Sequence, residues 1–316
     1  MKTWLIIAAA LILVGLLLFV CVFAANSWDI RAFSTKKFTT NTYEITDGFE
    51  NISIAARSAD VRVLPATDGI CKVVSTEHEK YPIAITADGT TLSIEVNGPE
   101  KWYEHIGISF DSPQITLYLP SGYYGDLKID TSTGDILIQS LAAKKMELRC
   151  STADVFMDTV VCQEDICIST TTGDVTMVNV SCRDVKLEGR TSDVSMSTLQ
   201  AAGNVSVWIS TGEAEFHRCN AADLSVRTSS GDVGMAHVVA SGKLTVTTST
   251  GDFEFESCDA AEAEIQTSTG DVEGSFRTEK IFVVETSTGE VRVPSSTSGG
   301  ICRITTGTGD IEITIE

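Results

Sequence analysis

Thr131-Ser132-Thr133-Gly134-Asp135 is the stretch that decides the fold, because the chain repeats it. Close copies occupy 171–174, 210–213, 229–232, 249–252, 268–271, 287–290 and 308–310, and degenerate ones occupy 151–154 and 191–193. The acids that close them are Asp135, Asp154, Asp174, Asp193, Glu213, Asp232, Asp252, Asp271, Glu290 and Asp310, each 19 or 20 residues after the one before. A period near twenty marks stacked supersecondary units, and it has to be read before any other feature.

Counting outward from the glycine as position zero, −5 is aliphatic in every copy, from Ile129 and Leu148 to Val284 and Ile304. Position −7 is apolar throughout, and so is +2, from Ile136 to Ile311. Position +4 is apolar except at Gly274. These steps of two predict two strands per repeat, each with one face inward, whereas a helix would need steps of three and four. Position +9 is small (Ala143, Cys162, Cys182, Ala201, Ala221, Ala240, Ala260), which predicts a narrow corner. The expected fold is all-β: a parallel β-solenoid of about ten coils of 19–20 residues, stacked about 4.8 Å apart, with two clear strands and a short third per coil.

The glycines of the motif, Gly134, Gly173, Gly231, Gly251, Gly270 and Gly309, fit a bend needing positive φ or close backbone approach. Asp135, Asp174, Asp232, Asp252, Asp271 and Asp310 fit side chains that hydrogen-bond turn backbone. These twelve residues are read as structural turn residues, not as a catalytic or metal site. The competing reading is a cation-binding acidic edge, since carboxylates stacked about 4.8 Å apart repel one another. Calcium, however, takes six to eight oxygens, and the Gly-Gly-x-Gly-x-Asp nonapeptide of calcium-binding β-rolls is absent.

Ahead of the array, residues 4–25 are an unbroken apolar run behind Lys2. Such a run is about 33 Å long as a helix, enough to cross a bilayer, and it exceeds the apolar core of a signal peptide. Residues 51–63 (Ile52, Ile54, Ser58-Ala59-Asp60, Val61, Val63) form one lone copy of the repeat, and an insertion follows with Asp88-Gly89 as a hairpin signal. The expected layout is 1–25 cytoplasmic stub and transmembrane helix, 26–47 juxtamembrane linker, 48–124 first coil and β-rich cap, and 125–316 solenoid. The expected topology is single-pass in the bacterial cell membrane, with the N-terminus inside and the solenoid on the extracytoplasmic side.

A net charge of −20 repels phosphate backbones, so nucleic acid is not an expected partner. The nine cysteines form no CxxC pair, and His78, His105, His217 and His237 have no zinc-site spacing, so neither metal nor cofactor is expected. Cys150, Cys162, Cys182, Cys219, Cys258 and Cys302 fall at inward positions and are expected as buried, reduced fillers. A β-helix enzyme would break its repeat with charged residues on an outward face. Arg190, His217, Arg218 and His237 are the candidates, and they are read as surface residues, with His217 and His237 on neighbouring coils. Trp102, Tyr103, His105, Tyr123 and Tyr124 cluster around the insertion and are read as a seal for that end, with sugar or peptide stacking as the alternative. The stretch 310–316 is expected to be an open strand edge guarded by Asp310, Glu312 and Glu316, allowing weak end-to-end self-association.

The apolar N-terminal run, the Ser58-Ala59-Asp60 coil, the hairpin-rich insertion, Tyr118-Leu119-Pro120 and the serial Thr-Ser-Thr-Gly-Asp-Ile coils together resemble the bacterial putative-adhesin family of β-strand-repeat proteins, a domain of unknown function. The resemblance covers roughly 49–316. It implies a β-solenoid anchored in bacterial membranes, and it carries over no catalytic residue. The expected function is a non-enzymatic cell-envelope solenoid, an adhesin or an envelope scaffold or sensor partner, meeting an envelope protein or surface ligand. A carbohydrate-active β-helix enzyme and a cation-binding solenoid are the alternatives.

Overall fold

A computed structural model describes residues 2–25, 38–79, 82–96 and 113–316. From residue 123 onward each coil contributes a strand to each of two stacks. One stack runs through Ala142–Arg149, Asp165–Ser169, Asp184–Glu188, Val205–Trp208 and Leu224–Arg227. The other runs through Ile136–Gln139, Val155–Cys162, Val175–Cys182, Val194–Ala201 and Ala214–His217. Every neighbour within these stacks is parallel. Leu148, Ile168, Leu187, Val207 and Val226 stand opposite one another in register, so the −5 column is one buried ladder. The residues at −1 form a short third ladder, Thr152 on Thr172 on Thr191 on Thr211.

The inward columns make the core. Leu187, Val207 and Val226 are buried, while Trp208, one step out of phase, is 53% exposed. Each such buried aliphatic side chain contributes about 1.5–3 kcal/mol relative to exposure. Most threonines at −3 are buried as well; the hydroxyl of Thr131 bonds Arg57 O at 3.0 Å and that of Thr306 bonds Gly270 O at 3.1 Å, whereas those of Thr228 and Thr248 are buried with no partner among the described residues. Where the bond is made, it offsets the cost of turning a polar group toward the core.

At the N-terminal end the lone coil, Asn51–Arg57 and Asp60–Pro65, lies directly against the array. The insertion covers its other side with Thr91–Glu95 and Gln114–Leu119, both parallel to it. Ala84–Ala87 hairpins onto Thr91–Glu95, and Lys72–His78 lies antiparallel on Gln114–Leu119. The segment expected as a linker differs from expectation: Phe38–Glu44 is a strand, antiparallel to Lys72–His78. It is exposed along most of its length, so it shows no apolar alternation, but Phe, Tyr and Thr favour strand there. Glu77, 3% exposed, holds it by accepting bonds from Tyr43 Oη (2.7 Å) and Asn41 Nδ2 (2.5 Å). Residues 26–37 of the expected linker lie outside the described residues.

The C-terminal end corrects another expectation. Stretch 310–316 is not the open edge. Gly300–Thr308 pairs with Phe253–Thr269 on one side and Lys280–Thr288 on the other. Ile311–Ile315 likewise lies between Val272–Phe276 and Val291–Arg292. The last coil in sequence is thus inserted one place inward, and the coil of 280–292 is outermost. The Ser- and Gly-rich connection 294–300 lets the chain double back. Gly299 (φ +98) and Gly300 pass so close to their neighbours that a Cβ on either would lie 1.8 Å from a backbone oxygen.

The helix Lys2–Ala25 precedes the β-structure. Among the described residues no helix is long and apolar enough to cross a membrane. The expected transmembrane helix is therefore not a finding of the structure.

Candidate functional site

The motif corner is closed by a carboxylate ladder. Oδ1 of each aspartate accepts the amide N–H of the acid one coil on: Asp60 from Asp135 (3.1 Å), Asp135 from Asp154 (3.0 Å), Asp154 from Asp174 (2.8 Å), Asp174 from Asp193 (3.0 Å) and Asp193 from Glu213 (2.9 Å). It resumes with Asp232 accepting from Asp252 and Asp252 from Asp271, both at 2.8 Å. It then follows the inserted coil, Asp271 accepting from Asp310 and Asp310 from Glu290, both at 2.7 Å. A charge-assisted bond to a backbone donor at each rung offsets the repulsion along the column.

Space calls for glycine at most of these corners, Ala153 and Ser192 holding the position in the two degenerate copies. At Gly173, Gly231, Gly251, Gly270 and Gly309 φ runs from +129 to +153. A Cβ there would lie 1.9–2.2 Å from a carbonyl oxygen of the neighbouring coil. Gly134, without positive φ, would meet Ala59 O at 1.9 Å.

Six residues after the glycine the chain turns again, and here Ser140, Thr159, Asn179, Thr198, Arg218, His237 and Ser257 all have φ between 50 and 57. This left-handed column gave little signal in the sequence: Asn179 and His237 are types enriched there, but its Ser, Thr and Arg members are not.

The family model described as Toastrack DUF4097 matches residues 49–313, which span the lone coil, the insertion and the array. The chain belongs to this family. Solved structures similar to this Toastrack chain include a putative adhesin from Bacteroides fragilis, at 14% identity over 89% of this chain and 98% of that one, with a TM-score of 0.41. A putative adhesin from Parabacteroides distasonis shares 15% identity over 89% and 98%, with a TM-score of 0.44. A putative lipid binding protein from the same organism shares 16% over 87% and 97%, with a TM-score of 0.47. No curated protein matches the chain.

On this Toastrack solenoid an open groove of about 710 Å³ lies over the outer face of the second stack near its C-terminal end. Glu215, Glu254, Glu256, Glu273 and Glu312 line it. Gly274 sits in its floor because Phe255 fills the space: a Cβ would lie 2.5 Å from that ring. Phe255 packs in turn on Phe253 and Phe276, with centroids 5.0 and 4.7 Å away.

The irregular residues singled out in the sequence separate into two groups. His217 and His237 meet edge to face, ring centroids 6.0 Å apart, and Arg218 adjoins them on the same exposed corner. Arg190 is exposed on the opposite, motif corner, where its carbonyl accepts the Thr211 amide. Among the described residues no group of three or more His, Cys, Asp or Glu could hold a metal ion.

The six cysteines read as inward are buried free thiols. Burial pushes Cys162, Cys219 and Cys258 up to about 11, and Cys182 and Cys302 to about 12. Thiols of that kind are poor nucleophiles at neutral pH. Tyr124 stacks on Phe49 at 6.0 Å and bonds Pro120 O at 2.9 Å, so it packs the N-terminal core, whereas Tyr123 is exposed. Trp102, Tyr103 and His105 lie outside the described residues.

One charged pair had no sequence signal. Lys280 is 2% exposed, and its Nζ lies 2.6 Å from Asp259 Oδ1 and 5.4 Å from the Phe276 ring centroid, with Thr278 Oγ1 also in contact. Burial pushes the Asp259 carboxyl up, but the bonds from Lys280 and Thr278 outweigh it and hold the group below the usual range.

Proposed function

We propose that this Toastrack chain is a non-enzymatic solenoid of the bacterial cell envelope, tethered to the membrane by its N-terminal helix, that holds its outer faces out as an adhesin or as a scaffold for an envelope partner. The observation that carries the non-enzymatic reading is the ladder. The most repeated charged group in the chain spends its carboxylate on the next coil's amide and is committed to architecture. The tether rests on the unbroken apolar run at 4–25. Cells expressing the full chain test both parts. The reading expects the protein in the membrane fraction after alkaline extraction, the solenoid cleaved by protease added to spheroplasts, and increased attachment of intact cells to a glycan or protein surface. Release of uncleaved chain by alkaline washing opposes the tether, and hydrolysis of an envelope polysaccharide by the purified chain opposes the non-enzymatic reading.

Weak end-to-end association belongs to the same proposal, moved to the outermost coil. Among the described residues Lys280–Thr288 and Val291–Arg292 are paired on one side only, and Ile281, Val283 and Val291 are exposed there. Unpaired strand edges of this kind accept further strands. Sedimentation should show association rising with salt, as screening weakens the repulsion between acidic chains, and Val283→Lys should reduce it. A strict monomer at high concentration and high salt opposes it.

A further inference from the structure

Basic and hydroxyl groups converge along one corner of this acidic chain. Coil by coil the row holds His217 and Arg218, then His237, then Ser257, then Ser275 and Arg277. The two imidazoles meet edge to face, and Arg277 Nη2 lies 3.4 Å from His237 Nδ1. Into this row reaches the side chain of Glu316. Its carboxylate oxygens lie 2.5 and 2.6 Å from Ser257 Oγ, and one of them is 2.8 Å from Ser275 Oγ. Ser257 is only 9% exposed, and its own amide donates to Ser275 Oγ at 2.8 Å. With that lone pair used, Ser275 directs its proton at the carboxylate. The two serine bonds hold Glu316 below the usual carboxylate range, and the charges of Arg277 and His237 add to them.

The strand needs none of this. The Glu316 backbone is already tied by its amide to Phe276 O at 3.0 Å. Two oriented hydroxyls backed by a guanidinium and an imidazole suit an anion with two in-plane oxygens. We propose that this row is a carboxylate-binding site, that its occupant in this structure is the chain's own Glu316, and that a carboxylate on an external ligand displaces it. The inference goes beyond the envelope reading and does not rest on it. A tethered occupant competes as an effective concentration in the millimolar range, so removing it should unmask the site.

The test follows the imidazole proton resonances of His217 and His237 at constant ionic strength in three proteins: the full chain, Glu316→Ala, and Glu316→Ala with Arg277→Ala. The probes are glucuronate, N-acetylglutamate amide and inorganic phosphate. The expected result is saturable shifts in Glu316→Ala at a concentration at least tenfold lower than in the unaltered chain, lost again when Arg277 is removed. Saturation by glucuronate alone assigns the site to sugar acids, by N-acetylglutamate amide alone to acidic side chains, and by both to carboxylates at large. Equal half-saturation with and without Glu316, indifference to Arg277, or phosphate binding as well as either carboxylate overturns the proposal and leaves Glu316 a strand tie. Should Glu316→Ala lose its folded spectrum, Glu316→Gln keeps the serine bonds and drops the charge. It should still bind more tightly than the unaltered chain, and equality would again overturn the proposal.

Discussion

The middle of the stack and its C-terminal end obey different rules of order. In the middle the coil that follows in sequence is the coil that follows in space, and the ladder reads Asp154, Asp174, Asp193. At the end it reads Asp271, Asp310, Glu290. The rungs continue through the exchange because every coil offers the same backbone and side-chain edges at the same height. A periodic sequence therefore specifies a coil strongly and its neighbour weakly. The choice of neighbour at the end is made by particular residues: the buried Lys280–Asp259 pair, the two glycines where the chain doubles back, and Glu290. Among the described residues no further coil stacks on Glu290, and its carboxylate turns instead to Arg292, 2.5 Å away.

The largest expected effect strikes the lock at the end. Asp259→Asn leaves Lys280 buried without its counter-charge and should cost about 3–5 kcal/mol. The cost should fall on the outermost coils, seen as faster hydrogen exchange in 280–292 than in 175–188. Because the folded Asp259 carboxyl is held below its ordinary value, its contribution is present above pH about 4 and is lost as pH falls through the folded value. The gap in stability between this variant and the unaltered chain should therefore close in acid. A gap that does not change from pH 7 down to acid unfolding would remove the pair from the account.

Glycine substitutions compare the two regions directly. Gly251→Ala, at φ +148, would place a Cβ 2.2 Å from Gly231 O with a further coil stacked on its other side. It should cost about 3 kcal/mol. Gly289→Ala faces the same clash, 2.0 Å from Gly309 O, but in a coil free to lift away. Its cost should be about half as large by the same reasoning. Equal values from urea unfolding would mean that the end is held as tightly as the middle.

The smallest effect has the opposite sign and lies at the second corner. There φ is positive, yet side chains such as Thr159 remain exposed, so strain is dihedral and not steric crowding. Thr159→Gly should stabilise by about 0.5–1 kcal/mol, the relief of a β-branched residue in the left-handed region less the entropy of an added glycine. A loss in the melting experiment would show that the hydroxyl or methyl of Thr159 does more than tolerate the turn.

The inward columns were legible because the step of two in Leu187, Val207 and Val226 can be buried in only one way. The motif corner was legible because glycine and aspartate each have a distinct turn chemistry. The second corner was not, since Ser140, Thr198 and Arg218 give no hint of positive φ. The exchange of coils was not either: 280–292 and 300–315 carry the same inward pattern, and differences such as Lys280 against Gly300 or Glu290 against Asp310 do not announce an order of stacking. The expectation that 310–316 forms the edge was wrong for that reason. Of the carboxylate row, the closeness of His217 and His237 followed from their spacing of one coil. Arg277 and Glu316 did not follow, because their side chains reach back across two coils, which periodicity does not describe.

The order of coils at the end is the claim most open to a direct measurement. Glu273 stands in register with Glu312, and Glu312 with Arg292. Cysteines placed at 273 and 312 would sit on adjacent parallel strands about 4.8 Å apart, within disulfide range, whereas 273 and 292 would be about 9.6 Å apart and out of range. Mild oxidation followed by mass spectrometry of a non-reduced digest should find the cross-link in Glu273→Cys with Glu312→Cys and none in Glu273→Cys with Arg292→Cys. A cross-link between 273 and 292, and none between 273 and 312, would mean that the coils stack in sequence order and would contradict the inserted last coil.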